Sequence, residues 1–228
     1  MPGSNTGAGS DSKANGPLSG LFTSTGGSKG PTRPKMPMPL AKAKLAGGDV
    51  VAAGPEGYCL DPKTVQSRAS RGFALIASCQ ILSGGAVGNW AEPVLITVTV
   101  GPKGALDDLP SPAALAQAAG AELLAGETAP GFVAANLDRG GDALLDGGDK
   151  HYWRGAFVLN GRLVGLALYA PEGSSYAAQQ GGGMLARVKA QIAALSPNSA
   201  PVVATQTGTP GKKGKSLFGR LFDGKDLP

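Results

Sequence analysis

The sequence contains few of the side chains that enzymes most often use for chemistry: its 228 residues include one histidine and two cysteines. A structural zinc site needs about four nitrogen, sulfur or oxygen ligands, which these three residues do not supply. No run approaches the roughly 20 apolar residues that cross a bilayer, and the start of the chain lacks the apolar segment of a secretory signal. We therefore expect a cytoplasmic protein with no cofactor, no metal and no identified small-molecule substrate.

Composition divides the chain into three parts. Residues 1–47 include 25 Gly, Pro, Ser and Thr residues, and such a segment buries too little apolar surface to offset ordering costs of about 1–2 kcal/mol per residue. Residues 198–228 are again rich in Pro, Gly and Lys. We predict that both ends are disordered basic tails and that residues 48–197 form one globular domain around a single core.

The net charge of +5 is unevenly distributed along the chain. The two tails hold 11 of the 21 basic residues and only three of the 16 acidic ones, so the middle of the chain is negatively charged. A domain that binds nucleic acid carries its basic residues on the folded surface. The distribution predicts no nucleic-acid partner for this domain.

Short apolar runs bounded by Gly or Pro predict strands at residues 49–53, 73–79 and 94–100. Residues 152–159 and 162–170 flank Asn160-Gly161, and Asn-Gly between two apolar runs is typical of a hairpin with a type I′ turn.

A further hairpin is expected from strands at residues 132–137 and 142–145, on either side of Arg139-Gly140-Gly141. Turn residues between two short apolar runs favour such a pairing.

Two helices are predicted. Ser111 followed by Pro112 is typical of a helix start, and the Ala- and Leu-rich residues 113–124 continue to a stop at Gly126. A last helix covers residues 175–195. Its apolar residues share one face at helical spacing: Met184, Leu185, Val188, Ile192 and Leu195.

The order of these elements predicts an α+β domain with an antiparallel sheet of six to seven strands packed by two helices. In topology, residues 49–195 resemble the PsbP family of small photosystem-associated domains, because a late Asn-Gly hairpin leads into a terminal helix. The run Gly57-Tyr58-Cys59-Leu60-Asp61, with 72–75 and Cys79 after it, is similar to uncharacterised alphaproteobacterial proteins. The resemblance implies a non-enzymatic accessory domain and transfers no catalytic residue.

Cys59 and Cys79 allow several interpretations. A bond between them would close a loop worth about 3 kcal/mol in the chain-entropy model, but a cytoplasmic protein usually keeps its thiols reduced. The pair is then two small buried hydrophobes, or the protein is periplasmic and the start site misses an export signal. A thiol-dependent enzyme using Cys59 or Cys79, with His151 as its base, is the alternative function.

Residues 212–222 combine basic side chains with an apolar stripe at helical spacing. This pattern is typical of an interfacial anchor or of a helix that binds a groove, and the alternative is a solvated tail without a partner. The contact residues predicted here are Lys212, Lys213, Lys215, Leu217, Phe218, Arg220, Leu221 and Phe222.

The domain itself shows no constellation of nucleophile, base and orienting group. The sequence therefore predicts a non-catalytic accessory or binding module. Its partner is a protein assembly, with peripheral contact to an anionic membrane surface through the basic tails.

Overall fold

An eight-stranded antiparallel sheet forms the centre of the fold, in a computed structural model that describes residues 37–104 and 108–197. The elements in chain order are β1 (Lys42–Leu45), β2 (Val50–Ala53), β3 (Tyr58–Leu60), β4 (Gln66–Ser67), β5 (Gly72–Ser78), α1 (Cys79–Leu82), β6 (Leu95–Lys103), α2 (Pro112–Ala119), β7 (Leu123–Ala129), β8 (Phe132–Leu137), β9 (Tyr152–Leu159), β10 (Arg162–Tyr169) and α3 (Gly181–Leu195). Single 3₁₀ turns lie at Ala46–Gly48 and Gly141–Ala143.

The strand order across the sheet is β3-β5-β6-β10-β9-β8-β7, and β4 pairs with β5 beside β3. Every pairing is antiparallel. The strands β1 and β2 form a separate two-stranded ribbon. This confirms the α+β class and the antiparallel sheet, while the number of strands is larger than predicted.

The two faces of the sheet bury different clusters. On one face, α3 and the β1–β2 ribbon pack over the inward side chains of the central strands, and Phe157, Leu166 and Met184 lie fully inside this main core. On the other face, α2 packs over β7 and β8, with Leu115 fully buried. The predicted core residue Leu195 is 39% exposed, whereas Ile192 before it and Ser196 after it are buried.

Arg162 of β10 links the sheet to the β1–β2 ribbon through Asp49. Its side chain is 5% exposed, and its Nη2 lies 2.8 Å from the carboxylate of Asp49, just before β2. The Nε hydrogen is also donated to the Asp49 carboxylate, at 2.9 Å. The remaining guanidinium hydrogens are donated to the main-chain carbonyls of Ala69, Ser70 and Gly101 at 2.9–3.1 Å. The buried cation is therefore paired and hydrogen-bonded, as burial requires.

Two local signals are confirmed. The Ser111 hydroxyl accepts a hydrogen bond from the Ala114 amide at 3.1 Å, which caps α2 ahead of Pro112. Asn160 and Gly161 have φ values of 53° and 71°, the left-handed conformation that a type I′ turn between β9 and β10 needs.

The first predicted helix is too long. It ends at Ala119 because Gly120 adopts a left-handed φ of 65° and caps it. The chain from Leu123 onward is the strand β7, which pairs with β8 through the Pro130-Gly131 turn. Ala- and Leu-rich composition favours a helix locally, but pairing with β8 decides the conformation.

The hairpin predicted around Gly140 is wrong. Gly141 begins a 3₁₀ turn, and its amide donates to the Lys150 carbonyl at 2.9 Å. A Cβ on Gly141 would overlap the carbonyl oxygens of Asp149 and His151. Glycine at this position therefore lets the backbone pass close to residues 149–151. The partner of β8 on this side is β7.

The folded region begins earlier than the predicted boundary at residue 48. Lys42–Leu45 forms β1, whose register with β2 runs from Lys42 opposite Ala53 to Leu45 opposite Val50. Leu45 is fully buried in the main core. Four residues are too short for a recognisable period, so this strand depends on its partner rather than on its own sequence.

The last helix starts at Gly181 rather than at residue 175. A Cβ on Gly181 would overlap the indole of Trp153, and one on Gly182 would overlap the carboxylate of Glu127. The glycines therefore let the first turn of α3 approach β9 and β7 closely. The Trp153 indole also donates to the Ala178 carbonyl at 2.7 Å.

Candidate interaction surface

A disulfide joins Cys59 of β3 to Cys79 at the start of α1, with their Cα atoms 4.9 Å apart. The structure thus selects the bonded state among the interpretations that the sequence left open. The Cys79 amide donates to the Gly57 carbonyl at 2.9 Å, next to the bond. Both sulfur atoms are consumed, so a thiol nucleophile at either position would first require reduction.

Residues 83–94, which we call the Trp90 loop, connect α1 to β6 and fold back against this disulfide. Gly88, at a φ of 86°, packs so tightly that an added Cβ would lie 2.6 Å from the Cys79 Cβ. The Ser83 hydroxyl accepts from the Val87 amide at 3.0 Å, and the carbonyls of Gln80 and Val87, each at 3.2 Å, are the two acceptors within reach of its single proton. These contacts fix the first half of the loop.

The second half of the Trp90 loop is held by Tyr58 and by the core. The Tyr58 hydroxyl donates to the Glu92 carbonyl at 3.0 Å, and Val94 is fully buried. Burial, reinforced by the nearby Tyr176 and Glu92, raises the pKa of Tyr58 to about 12. Its hydroxyl therefore keeps the donated proton at any physiological pH.

Two large apolar side chains of α1 and the Trp90 loop are exposed. Trp90 is 72% exposed and Ile81 of α1 is 56% exposed. Tryptophan is on average a strongly buried residue, and Trp153, the second tryptophan, is only 2% exposed. From Cys79 to Val94, Glu92 is the single charged residue. The result is an exposed indole on a loop that is braced at both ends and nearly uncharged.

The other sheet face buries a pair of aromatic side chains, Tyr152 and Tyr169. The rings of Tyr152 and Tyr169 stack at a centroid distance of 5.3 Å, and Arg154 lies 5.6 Å from the Tyr152 ring centre and donates to its hydroxyl. Burial raises the pKa of Tyr169 to about 12. The ring pair and the Arg154 contact thus belong to the buried cluster on this face.

His151 pairs with a carboxylate but not with a cysteine. Its Nδ1 lies 2.9 Å from the Asp149 carboxylate, which also accepts from the amides of His151 and Gly173. The strand order puts four strand spacings, about 19 Å, between β3 and β9. Cys79 follows β5, which lies three strand spacings, about 14 Å, from β9. The alternative in which His151 is the base for Cys59 or Cys79 is therefore wrong.

Within the described residues, no group of three or more His, Cys, Asp or Glu side chains is placed to hold a metal ion. In the same part of the chain, no helix is both long and apolar enough to span a membrane. The predicted contact residues from Lys212 to Phe222 lie outside the residues that the structure describes.

Sequence reasoning missed the Trp90 loop. The signal in the sequence is a tryptophan within a run of Gly, Ala, Ser and Asn between two predicted strands. No strand or helix periodicity in this run predicts a buried position for a large apolar side chain. The exposure of Trp90 depends on how the disulfide and Tyr58 hold the loop, which is a property of the fold.

No protein-family model, curated protein or solved structure matches this chain.

Proposed function

We propose that this chain is a non-catalytic binding module that serves a larger protein assembly, and that it contacts a protein partner through the Trp90 loop. The observation that carries the proposal is the 72% exposed indole of Trp90 on a braced loop. Tryptophan is enriched among the residues that dominate binding energies. A loop that is already ordered loses little conformational entropy when it binds.

The chemistry of the loop indicates the kind of partner surface. Trp90 and Ile81 are apolar, and Glu92 is the single charge between residues 79 and 94. A partner that offers an apolar pocket for the Trp90 indole would gain affinity by removing this side chain from water. Contact through this loop does not depend on charge attraction, so we expect it to persist at high salt.

The Cys59–Cys79 disulfide favours the periplasmic alternative for the location of the protein over the cytoplasm. Disulfides persist in oxidising compartments and are rare where glutathione and thioredoxin keep thiols reduced. The bond sits under the proposed contact loop. We therefore place the interaction in an oxidising compartment.

The finer fold assignment and the tail belong to the same proposal. A late Asn-Gly hairpin that leads into the terminal helix α3 supports a PsbP-like arrangement and an accessory role. The basic and apolar residues 212–222 support a reversible contact with an anionic membrane surface, through basic attraction and apolar insertion. A chain truncated after residue 210 should then float less well with anionic vesicles than the full chain.

The test of the binding function uses the oxidised full-length chain as bait and an extract of its source organism. Partners captured by the wild type are then measured by calorimetry against two variants, Trp90→Ala and Leu144→Ala. Leu144 is 50% exposed on a different loop and serves as the matched control.

We expect Trp90→Ala to weaken binding about 30-fold, which corresponds to the roughly 2 kcal/mol that separates dominant interface residues from the others. Leu144→Ala should bind as the wild type does. A partner that binds Trp90→Ala and wild type equally well would show that the Trp90 loop is not the contact surface.

A further inference from the structure

The segment that leads from Cys79 to β6 is ordered without burial. No residue from 80 to 93 is buried, in a stretch that the structure describes throughout. Val94 is the first fully buried side chain after it. A segment without buried apolar side chains gains little from the hydrophobic effect. Its conformation therefore depends on a few local contacts.

One group of these contacts reaches Cys79. Gly88 lies so close that an added Cβ would be 2.6 Å from the Cys79 Cβ. The Ser83 amide donates to the Cys79 carbonyl at 3.0 Å. The position of Cys79 therefore determines the conformation of the first half of the segment.

A second group of contacts reaches the residues just before Cys59. A Cβ on Gly57 would lie 3.0 Å from the Ala91 Cβ, and the Tyr58 hydroxyl donates to the Glu92 carbonyl at 3.0 Å. The strand β3, which carries Tyr58 and Cys59, is only three residues long. The disulfide is therefore the covalent link between the two groups of contacts.

We propose that the Cys59–Cys79 disulfide is a redox switch for the Trp90 loop. The intact bond links the two groups of contacts and keeps the loop ordered. Reduction separates them and releases the loop, while the rest of the domain stays folded. The biological consequence rests on the proposed function, since release of the loop removes the ordered surface around Trp90.

A protein dithiol opens the bond in two exchange steps. One thiolate of the dithiol attacks the sulfur of Cys59, which is more exposed than Cys79. The S–S bond breaks, a mixed disulfide forms, and the Cys79 sulfur leaves as a thiolate. The second thiolate of the dithiol then displaces Cys59 from the mixed disulfide. The two cysteines gain two electrons and the two protons that the dithiol lost, and the dithiol becomes a disulfide.

The test is hydrogen exchange of the full-length chain, measured by mass spectrometry. Peptides that span residues 80–93 are compared with peptides from β9 and β10. The samples are the oxidised chain, the chain reduced with dithiothreitol, and the same chain after reoxidation, each verified by thiol counting. Dithiothreitol added to the double variant Cys59→Ala with Cys79→Ala controls for effects of the reductant itself.

Two glycine variants test the coupling while the bond is intact. Gly88→Ala forces a Cβ against Cys79, whereas Gly85→Ala adds its Cβ where nothing lies within 4 Å. The two glycines have φ values of 86° and 88°, so the backbone strain of an alanine is matched. Gly88→Ala should therefore speed exchange in residues 80–93 more than Gly85→Ala does.

We expect reduction to speed exchange in residues 80–93 by at least about tenfold, while β9 and β10 stay protected and reoxidation restores the slow exchange. Four results would each overturn the proposal: a bond that dithiothreitol cannot reduce in the folded chain, a loop that exchanges equally in both redox states, β9 and β10 exchanging as fast as the loop, or equal exchange in the two glycine variants. Exchange needs no partner, so these results are independent of whether Trp90→Ala weakens binding.

Discussion

Removal of the Cys59–Cys79 bond should destabilise the protein by an amount that follows from the loop it closes. The two cysteines are 20 positions apart. In the chain-entropy model a closed loop of this size restricts the unfolded chain by about 3 kcal/mol at 25 °C. The double variant Cys59→Ala with Cys79→Ala should therefore lose about 3 kcal/mol of unfolding free energy.

The same loss can be expressed as a melting temperature. For a domain of 150–250 residues, about 1 kcal/mol shifts the melting temperature by 2–4 °C, so the double variant should melt about 6–12 °C lower. The Trp90 loop loses its covalent support as well, because Gly88 packs directly against Cys79. We therefore expect limited proteolysis of the double variant to begin within residues 83–94.

The assay is urea and thermal unfolding of the oxidised wild type, the reduced wild type and the double variant. Reduction should bring the wild type to the stability of the double variant, and a reductant should leave the double variant unchanged. Thiol counting by mass spectrometry on the unreduced protein should find no free thiol. Two free thiols, or less than about 1 kcal/mol between oxidised wild type and double variant, would refute the reasoning.

Two further predictions concern polar groups of the fold. Arg162→Met removes a cation that is 5% exposed and leaves the Asp49 carboxylate without its closest partner, so urea unfolding should show a loss of about 3 kcal/mol in unfolding free energy. The control Lys103→Met removes a 59% exposed partner of the same carboxylate and should cost under about 0.5 kcal/mol. Equal losses in the two variants would contradict this account. Because the pKa of Tyr58 and that of Tyr169 are both raised to about 12, their protonated forms stabilise the fold fully below pH 10, and this contribution disappears as the pH rises toward 12. In tyrosinate absorbance titrations, Tyr58→Phe and Tyr169→Phe should each remove one ionisation with a midpoint near pH 12, and ionisation of these two side chains near pH 10 would disprove the raised values.

Local chemistry explains the elements that the sequence predicts well. Ser111 and Pro112 define the start of α2 because a hydroxyl acceptor and a fixed φ suit the first turn of any helix. Asn160-Gly161 defines the β9–β10 hairpin because few residue pairs tolerate two left-handed φ values. In both cases the deciding interactions lie within a few residues of one another.

The strands β1 and β7 could not be predicted from their own residues. Lys42–Leu45 is extended because it pairs with β2, and Leu123–Ala129 because it pairs with β8, although its composition favours a helix. The candidate site has the same origin. The exposure of Trp90 depends on a disulfide whose cysteines are 20 positions apart and on a hydrogen bond from Tyr58 to Glu92.

The sequence by itself determined the α+β class, the antiparallel sheet, the cap of α2 and the β9–β10 turn. Each of these depends on apolar period or on backbone preferences that act over short distances. Only the tertiary structure decided that the two cysteines are bonded, that Arg162 is buried against Asp49, and that β7 is left as an exposed edge. These features arise when residues far apart in the chain are brought together by the burial of one shared core, which no local pattern encodes.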